Sequence, residues 1–188
     1  MSRLAILLSG RGSNFVAIAD SIREGRLKAE IVVVVSNRPD APGLAAAAKL
    51  GIPTVAIPSK GTPKPEFDQQ LIAALQQAKP DLICLAGYMR VLSPTVVREF
   101  PNRILNIHPS LLPAFPGLDG QRQALEHGVK FTGCTVHFVD EGLDTGPIID
   151  QAVVPVLEGD SVASLSARIL KEEHRIYSQA IQAVLERL

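Results

Sequence analysis

The stretch RILNIHPSLLPAFPG, residues 103–117, sets Asn106 and His108 two positions apart at the end of an apolar run and follows them with prolines. Residues two apart on an extended strand face the same side, so the two polar side chains project together from the strand's end. Pro109 disfavours an α conformation at His108 and keeps the pair aimed. An asparagine amide can donate to a carbonyl oxygen as it gains negative charge, and a neighbouring histidine can stabilise that charge or move a proton near neutral pH. The combination suits acyl or formyl transfer. Asp144, in DEGLDTGP, would favour the imidazolium and orient the ring if the fold brought it close to His108. Taken alone it is a turn aspartate ahead of Gly146 and Pro147.

No nucleophile accompanies the pair. Ser110 lies two residues after His108, but the chain has no G-x-S-x-G elbow and Pro109 separates the would-be partners. A substrate amine of pKa near 8 is neutral in about one part in ten at pH 7 and can attack directly once the carbonyl oxygen is stabilised. A second chemical feature is LAILLSGRGSN, residues 4–14, an apolar run that turns through glycines into a helical pattern, with Ser13 or Asn14 as N-cap. Free N–H groups at such a start attract a phosphate or carboxylate, although a simple turn needing glycine explains the residues equally well. A dinucleotide fingerprint would need a third glycine and an acid after the second strand; the second apolar run ends in SNR. Arg38 could accompany a 2′-phosphate, which keeps an NADP-linked reductase open. No Gly-Lys-Ser or Gly-Lys-Thr is present, so this is not a nucleoside triphosphatase loop.

The remaining polar candidates have plainer accounts. His137 alternates with Thr135 onto one face and is expected to be a satisfied sheet histidine. His127 suits a helix C-terminus. His174, in KEEHRIY, belongs by its charged neighbours to a solvated helix face, and so does Glu173 unless the helix start points into the cleft. Asp140 and Glu141 are loop acids without the ligand spacing of a calcium site, and no metal is expected.

These residues need a frame. Short apolar runs at 4–8, 31–35, 54–57, 81–86 and 103–107 lack alternation, as strands covered on both faces do. Helical patterns lie between them at SNFVAIADSIREG, APGLAAAAKLG, KPEFDQQLIAALQQA and SPTVVREF. The expected fold is α/β, a mostly parallel twisted sheet with helices on both faces. After about residue 130, TGCTVHFVD and GPIIDQAVVPV predict two strands pairing antiparallel at the sheet's edge, and an amphipathic helix runs from Ser161 towards Leu188.

With 188 residues and 46% hydrophobic content, residues 1–188 are expected to form one domain. Lysine plus arginine and aspartate plus glutamate each number 19, so no basic surplus points to nucleic acid or an anionic membrane. Cys84 and Cys134 lie in apolar segments without CxxC spacing and fit buried thiols in a reducing compartment. The N-terminal apolar run is too short for a secretory signal and no stretch approaches the length of a membrane span, so a soluble cytoplasmic protein is expected.

LSGRGSNF, SNRPDAPGL, AGYMRVLSP, LNIHPSLLPAFPG and DEGLDTGPIIDQ resemble, in order, the successive motifs of the phosphoribosylglycinamide formyltransferase family, and the resemblance runs on to EEHRIY. HPSLLP alone is shared across formyltransferases and identifies only the chemistry. The resemblance implies transfer of the formyl group of 10-formyltetrahydrofolate to the amine of glycinamide ribonucleotide in purine biosynthesis, with folate as co-substrate. It implies Asn106, His108 and Asp144 as the catalytic trio, Gly12, Ser13 and Asn14 as the phosphate-binding turn, and Glu173 as a contact to the acceptor. Folate contacts are implied for Met89, Arg90, Val91 and Leu92, for Asp140, Glu141, Gly142 and Leu143, and for Lys64. Family members can also form homodimers.

Two positions depart from the family. An H-x-H stretch usual after PG is replaced by Asp119 and Gln121, and Lys64 offers a point charge in place of a planar guanidinium. Methionyl-tRNA formyltransferase carries an additional C-terminal domain and formyltetrahydrofolate hydrolase an N-terminal one, for which this length leaves no room. Amino-sugar nucleotide formyltransferases, an NADP-linked reductase and a catalytically silent nucleotide-binding module are the alternatives.

Overall fold

A computed structural model describes residues 1–188. Seven strands form one sheet in the order β3-β2-β1-β4-β5-β6-β7. They are β1 (Ser2–Leu8), β2 (Ala29–Ser36), β3 (Thr54–Ala56), β4 (Leu82–Leu85), β5 (Ile104–His108), β6 (Phe131–Phe138) and β7 (Ile148–Pro155). The first five pair in parallel, whereas β6 runs antiparallel to β5 and β7 antiparallel to β6. Helices α1 (Ser13–Arg23), α2 (Pro42–Lys49), α3 (Lys64–Ala78), α4 (Pro94–Glu99), α5 (Gly120–His127) and α6 (Val162–Leu185) complete the chain.

Period-two alternation divides the core between the two faces of the sheet. On β1, Leu4, Ile6 and Leu8 join Phe15 and Ile18 of α1 and Ile169, Ile176 and Ile181 of α6. The intervening Ala5 and Leu7 pack with Phe67 and Leu71 of α3 and Val96 of α4. Tyr177, fully buried on α6, donates its hydroxyl to the carbonyls of Leu85 (2.9 Å) and Leu105 (3.1 Å), pinning β4 and β5 side by side.

Chain order places the ligand edge. From β1 the chain moves outward to β2 and β3, then crosses back to β4 on the other side, so adjacent β1 and β4 form the switch point where open α/β sheets leave a crevice. Their C-terminal ends deliver the Ser9–Asn14 turn and the Gly87–Leu92 loop, and the neighbouring β5 delivers His108. On the α3/α4 face the last buried apolar residue of β5 is Ile104. Asn106 and His108 follow it on the same face, where loops take over from helices as cover.

The sheet, its antiparallel edge and the terminal helix agree with the sequence expectation. The N-cap of α1 does not. Gly12 occupies it in the left-handed region (φ 74°) without any side-chain cap, and Ser13 is already helical. The backbone angle calls for glycine, and a Cβ there would also crowd Leu8 Cδ2 at 3.0 Å and Gly43 Cα at 3.3 Å.

Candidate active site

Asn106 lies directly opposite His137 of β6, and His108 opposite Thr135. Four polar side chains thus share one face across two strands. His137 was expected to be a satisfied sheet histidine; it is buried and satisfied, but its partner is Asn106. Its Nδ1–H donates to the Phe138 carbonyl (2.8 Å), which leaves Nε2 to accept from Asn106 Nδ2 (3.2 Å). Burial lowers the His137 pKa and so keeps the ring neutral, the form this acceptor role requires. The second N–H of the Asn106 amide stays uncommitted and its direction is fixed.

His108 is 5% exposed. Its Nε2–H donates to the Phe115 carbonyl at 2.9 Å, and Nδ1 stands 3.5 Å from Asp144 Oδ2. That separation exceeds a good hydrogen bond, so a group placed beside Nδ1 can engage it without breaking a bond already made. Asp144 Oδ2 accepts from the Gly117 N–H at 2.7 Å, and Oδ1 lies 3.9 Å from His137 Nε2. The β6–β7 connection leaves the sheet level with Ile104, where the Val139 N–H bonds its carbonyl, and folds back across the polar face to bring Asp144 there. Asp144 adopts φ 53°, a left-handed conformation in which aspartate is among the less strained residues. The rest of this loop is tied down locally: Asp140 accepts from the Gly142 N–H and the Thr145 hydroxyl, and Glu141 pairs with Arg98 of α4.

Beside this cluster a cleft of about 300 Å³ opens at the switch point, lined by Ser9 to Asn14 with Arg38, Ala86, Gly87 and Met89. The N–H groups of Arg11, Gly12, Ser13 and Asn14 find no acceptor in the chain and form the positive end of α1. Asn14 is buried; its Nδ2 donates to Glu173 Oε2 at 2.9 Å and its Oδ1 has no partner. Glu173 therefore sits on an inward face of α6, the alternative left open to the solvated one, and only 7% of it is exposed. His174 is half-buried with Nε2 unpartnered, which departs from the expected solvated face.

Burial raises the Glu173 pKa, and the Asn14 hydrogen bond opposes the shift only in part. A carboxyl whose folded pKa is raised contributes stability fully present below its unfolded value, about 4.3, and lost as pH rises through the folded one. Glu173→Gln keeps the acceptor for Asn14 and removes this loss. Thermal melts should show the variant gaining in Tm over the wild type at pH 7 relative to pH 4; an equal difference at both values would contradict the assignment.

The implied folate residues divide. Met89, Val91 and Leu143 expose apolar side chains around the cluster, and Leu118 adds a fourth from the 109–119 loop. Arg90 is stacked over the Phe67 ring at 4.2 Å. Leu92 is buried in the core beside α3 and α4. Glu141 is occupied with Arg98, and Lys64 lines a separate cleft of about 350 Å³ between α3 and α4. Asp119 serves as the left-handed N-cap of α5, without a side-chain bond. His127, at the α5 C-terminus as expected, packs its ring on Phe115 at 5.1 Å. Cys84 and Cys134 are free and buried, and burial raises both thiols to about 12. No group of three His, Cys, Asp or Glu side chains is arranged to hold a metal ion.

Sequence reasoning undervalued His137, and Thr135–His137 alternation opposite Asn106–His108 is the signal that could have found it.

Comparison with known proteins identifies the family. The formyl transferase family model matches residues 2–181. The chain is 51% identical over 182 residues to the trifunctional purine biosynthetic protein adenosine-3 of Drosophila melanogaster, covering 95% of this chain but 14% of that protein. It is 45% identical to the phosphoribosylglycinamide formyltransferase of Escherichia coli K12, over 95% of this chain and 84% of the enzyme. The crystal structure of glycinamide ribonucleotide transformylase 1 from Symbiobacterium toebii superposes with a TM-score of 0.96 at 56% identity, covering 99% of this chain and 88% of that one. The chain belongs to the formyl transferase family, in the group formed by the phosphoribosylglycinamide formyltransferases.

Proposed function

We propose that the chain transfers the formyl group of 10-formyltetrahydrofolate to the amine of glycinamide ribonucleotide, a step of de novo purine biosynthesis, and that residues 1–188 work as one formyltransferase domain. The carrying observation is the meeting of Asn106, His108 and Asp144 beside a cleft whose floor offers unpaired N–H groups. In this scheme the N–H groups of Gly12, Ser13 and Asn14 hold the acceptor's phosphate. Glu173 and Asn14, joined at the cleft wall, contact its sugar. The exposed apolar side chains of Met89, Val91 and Leu143 suit the folate ring system. Lys64, from its own cleft, would reach only an outlying part of the folate. The free, buried thiols support a cytoplasmic setting.

The amine nitrogen attacks the formyl carbon, and the carbonyl oxygen takes up the negative charge. The free N–H of Asn106 and the Nδ1–H of His108 donate to that oxygen. His108 gives its Nδ1 proton to N10 of the folate as the C–N bond breaks, and the freed Nδ1 then takes the proton that the attacking nitrogen gives up. The products are the formylated amine and tetrahydrofolate, with no net change in protons. Asp144 acts on His108 by charge and by holding the Gly117 end of the loop.

The test is turnover with 10-formyltetrahydrofolate and a panel of acceptors: glycinamide ribonucleotide, an amino-sugar nucleotide and water. Transfer to the first, with inorganic phosphate competing against the amine and not against the folate, is the expected result. Transfer only to the sugar nucleotide, or only hydrolysis, would overturn it.

A further inference from the structure

Neither the catalytic trio nor the cleft involves Gln151, yet its amide is bonded into the loop that holds His108. We propose that Gln151, on the outermost strand β7, is a positioning residue for His108. One Nε2–H of Gln151 donates to the Leu112 carbonyl and the other to Thr135 Oγ1, both at 3.0 Å. Thr135 Oγ1 also accepts from the Leu112 N–H (3.0 Å) and donates to the Ser110 carbonyl (2.7 Å). The hydroxyl's one donor and two lone pairs are then all used, as are both amide donors. Leu112 is held at its N–H and its carbonyl together. Ser110 passes the constraint on, since its own hydroxyl donates to the carbonyls of Ala114 and Phe115. Phe115 O is the acceptor for His108 Nε2.

The path from β7 to the imidazole thus runs through hydrogen bonds joined by the covalent frame of Ser110. β7 is the sheet's edge, with β6 on one side and no strand on the other. Gln151 is itself exposed and supports no core packing. Its loss leaves the Leu112 carbonyl without this donor and frees the segment that sets the ring's orientation. Reactions of this kind are sensitive to small misplacements of a catalytic group, whereas binding of a phosphate at the far Gly12–Asn14 turn is not.

Gln151→Ala and Gln151→Glu decide the point, the second because a carboxylate of the same shape cannot donate to Leu112 O. The kinetic arm rests on the formyl-transfer proposal; the spectroscopic arm does not. Both variants should lower kcat by about five- to tenfold with the KM of the amine unchanged. The ring resonances of His108 in the unliganded protein should shift, the Leu112 amide should exchange faster with solvent, and Tm should stay within a degree or two. Unmoved His108 resonances, or an activity loss accounted for by a raised KM or a lowered Tm, would overturn the positioning role. Should the unmodified protein transfer no formyl group at all, that proposal fails while the His108 resonances still decide this one.

Discussion

Replacing His108 with alanine is expected to lower turnover by about two to four orders of magnitude, the range typical of a positioned group that moves a proton in the transition state. The geometry makes the loss specific. The ring is held through Nε2 by the Phe115 carbonyl and through Nδ1 lies beside Asp144, so in the proposed mechanism alanine removes the donor to the nascent anion and the proton carrier together. The acceptor's phosphate is assigned to the Gly12–Asn14 turn, on β1 and not β5, so the KM of the amine should change little. Steady-state kinetics across pH check both parts. Near-normal kcat in His108→Ala would take His108 out of the chemistry, and a defect confined to KM would recast it as a binding group.

Asn106→Ala should cost about two to three orders of magnitude in kcat, the usual penalty for losing one preorganised donor to an oxyanion. Preorganisation is visible in the amide's second contact. One N–H is committed to His137 Nε2, so the other points at the same place before substrate arrives. Asn106→Asp is the sharper variant: it keeps the shape, replaces donors by a negative acceptor and should be worse than alanine. Because Asn106 and His108 are assigned to one anion, the double alanine variant should fall far short of the sum of the two single losses. Additive losses would mean that the two side chains serve separate steps.

Much of the frame was legible locally. The apolar runs of β1, β2, β4 and β5 are continuous because both faces are covered, and continuity of that kind is written in neighbouring residues. The prediction of Ser13 or Asn14 as N-cap erred because glycine at a left-handed cap competes with a side-chain cap, and the close approach of α2 to the turn decided for glycine. The solvated reading of His174 failed for a related reason, since its charged neighbours point to water while the ring is half-buried, and the condition left open for Glu173 is met where α6 turns it onto Asn14.

The sequence alone determined the alternation that aims Asn106 and His108 to one side, the proline that stiffens their mount, the glycines of the turn between β1 and α1 and the order of strands and helices. Each of these depends on torsion angles and on contacts within a few residues. Only the tertiary structure decided which distant groups meet: Asp144 beside His108 at 3.5 Å, His137 opposite Asn106, and Glu173 against Asn14 across 159 positions of chain. Such meetings depend on the path of a loop and the rotation of a helix, which are set by packing against the whole sheet. No short window of residues contains that information.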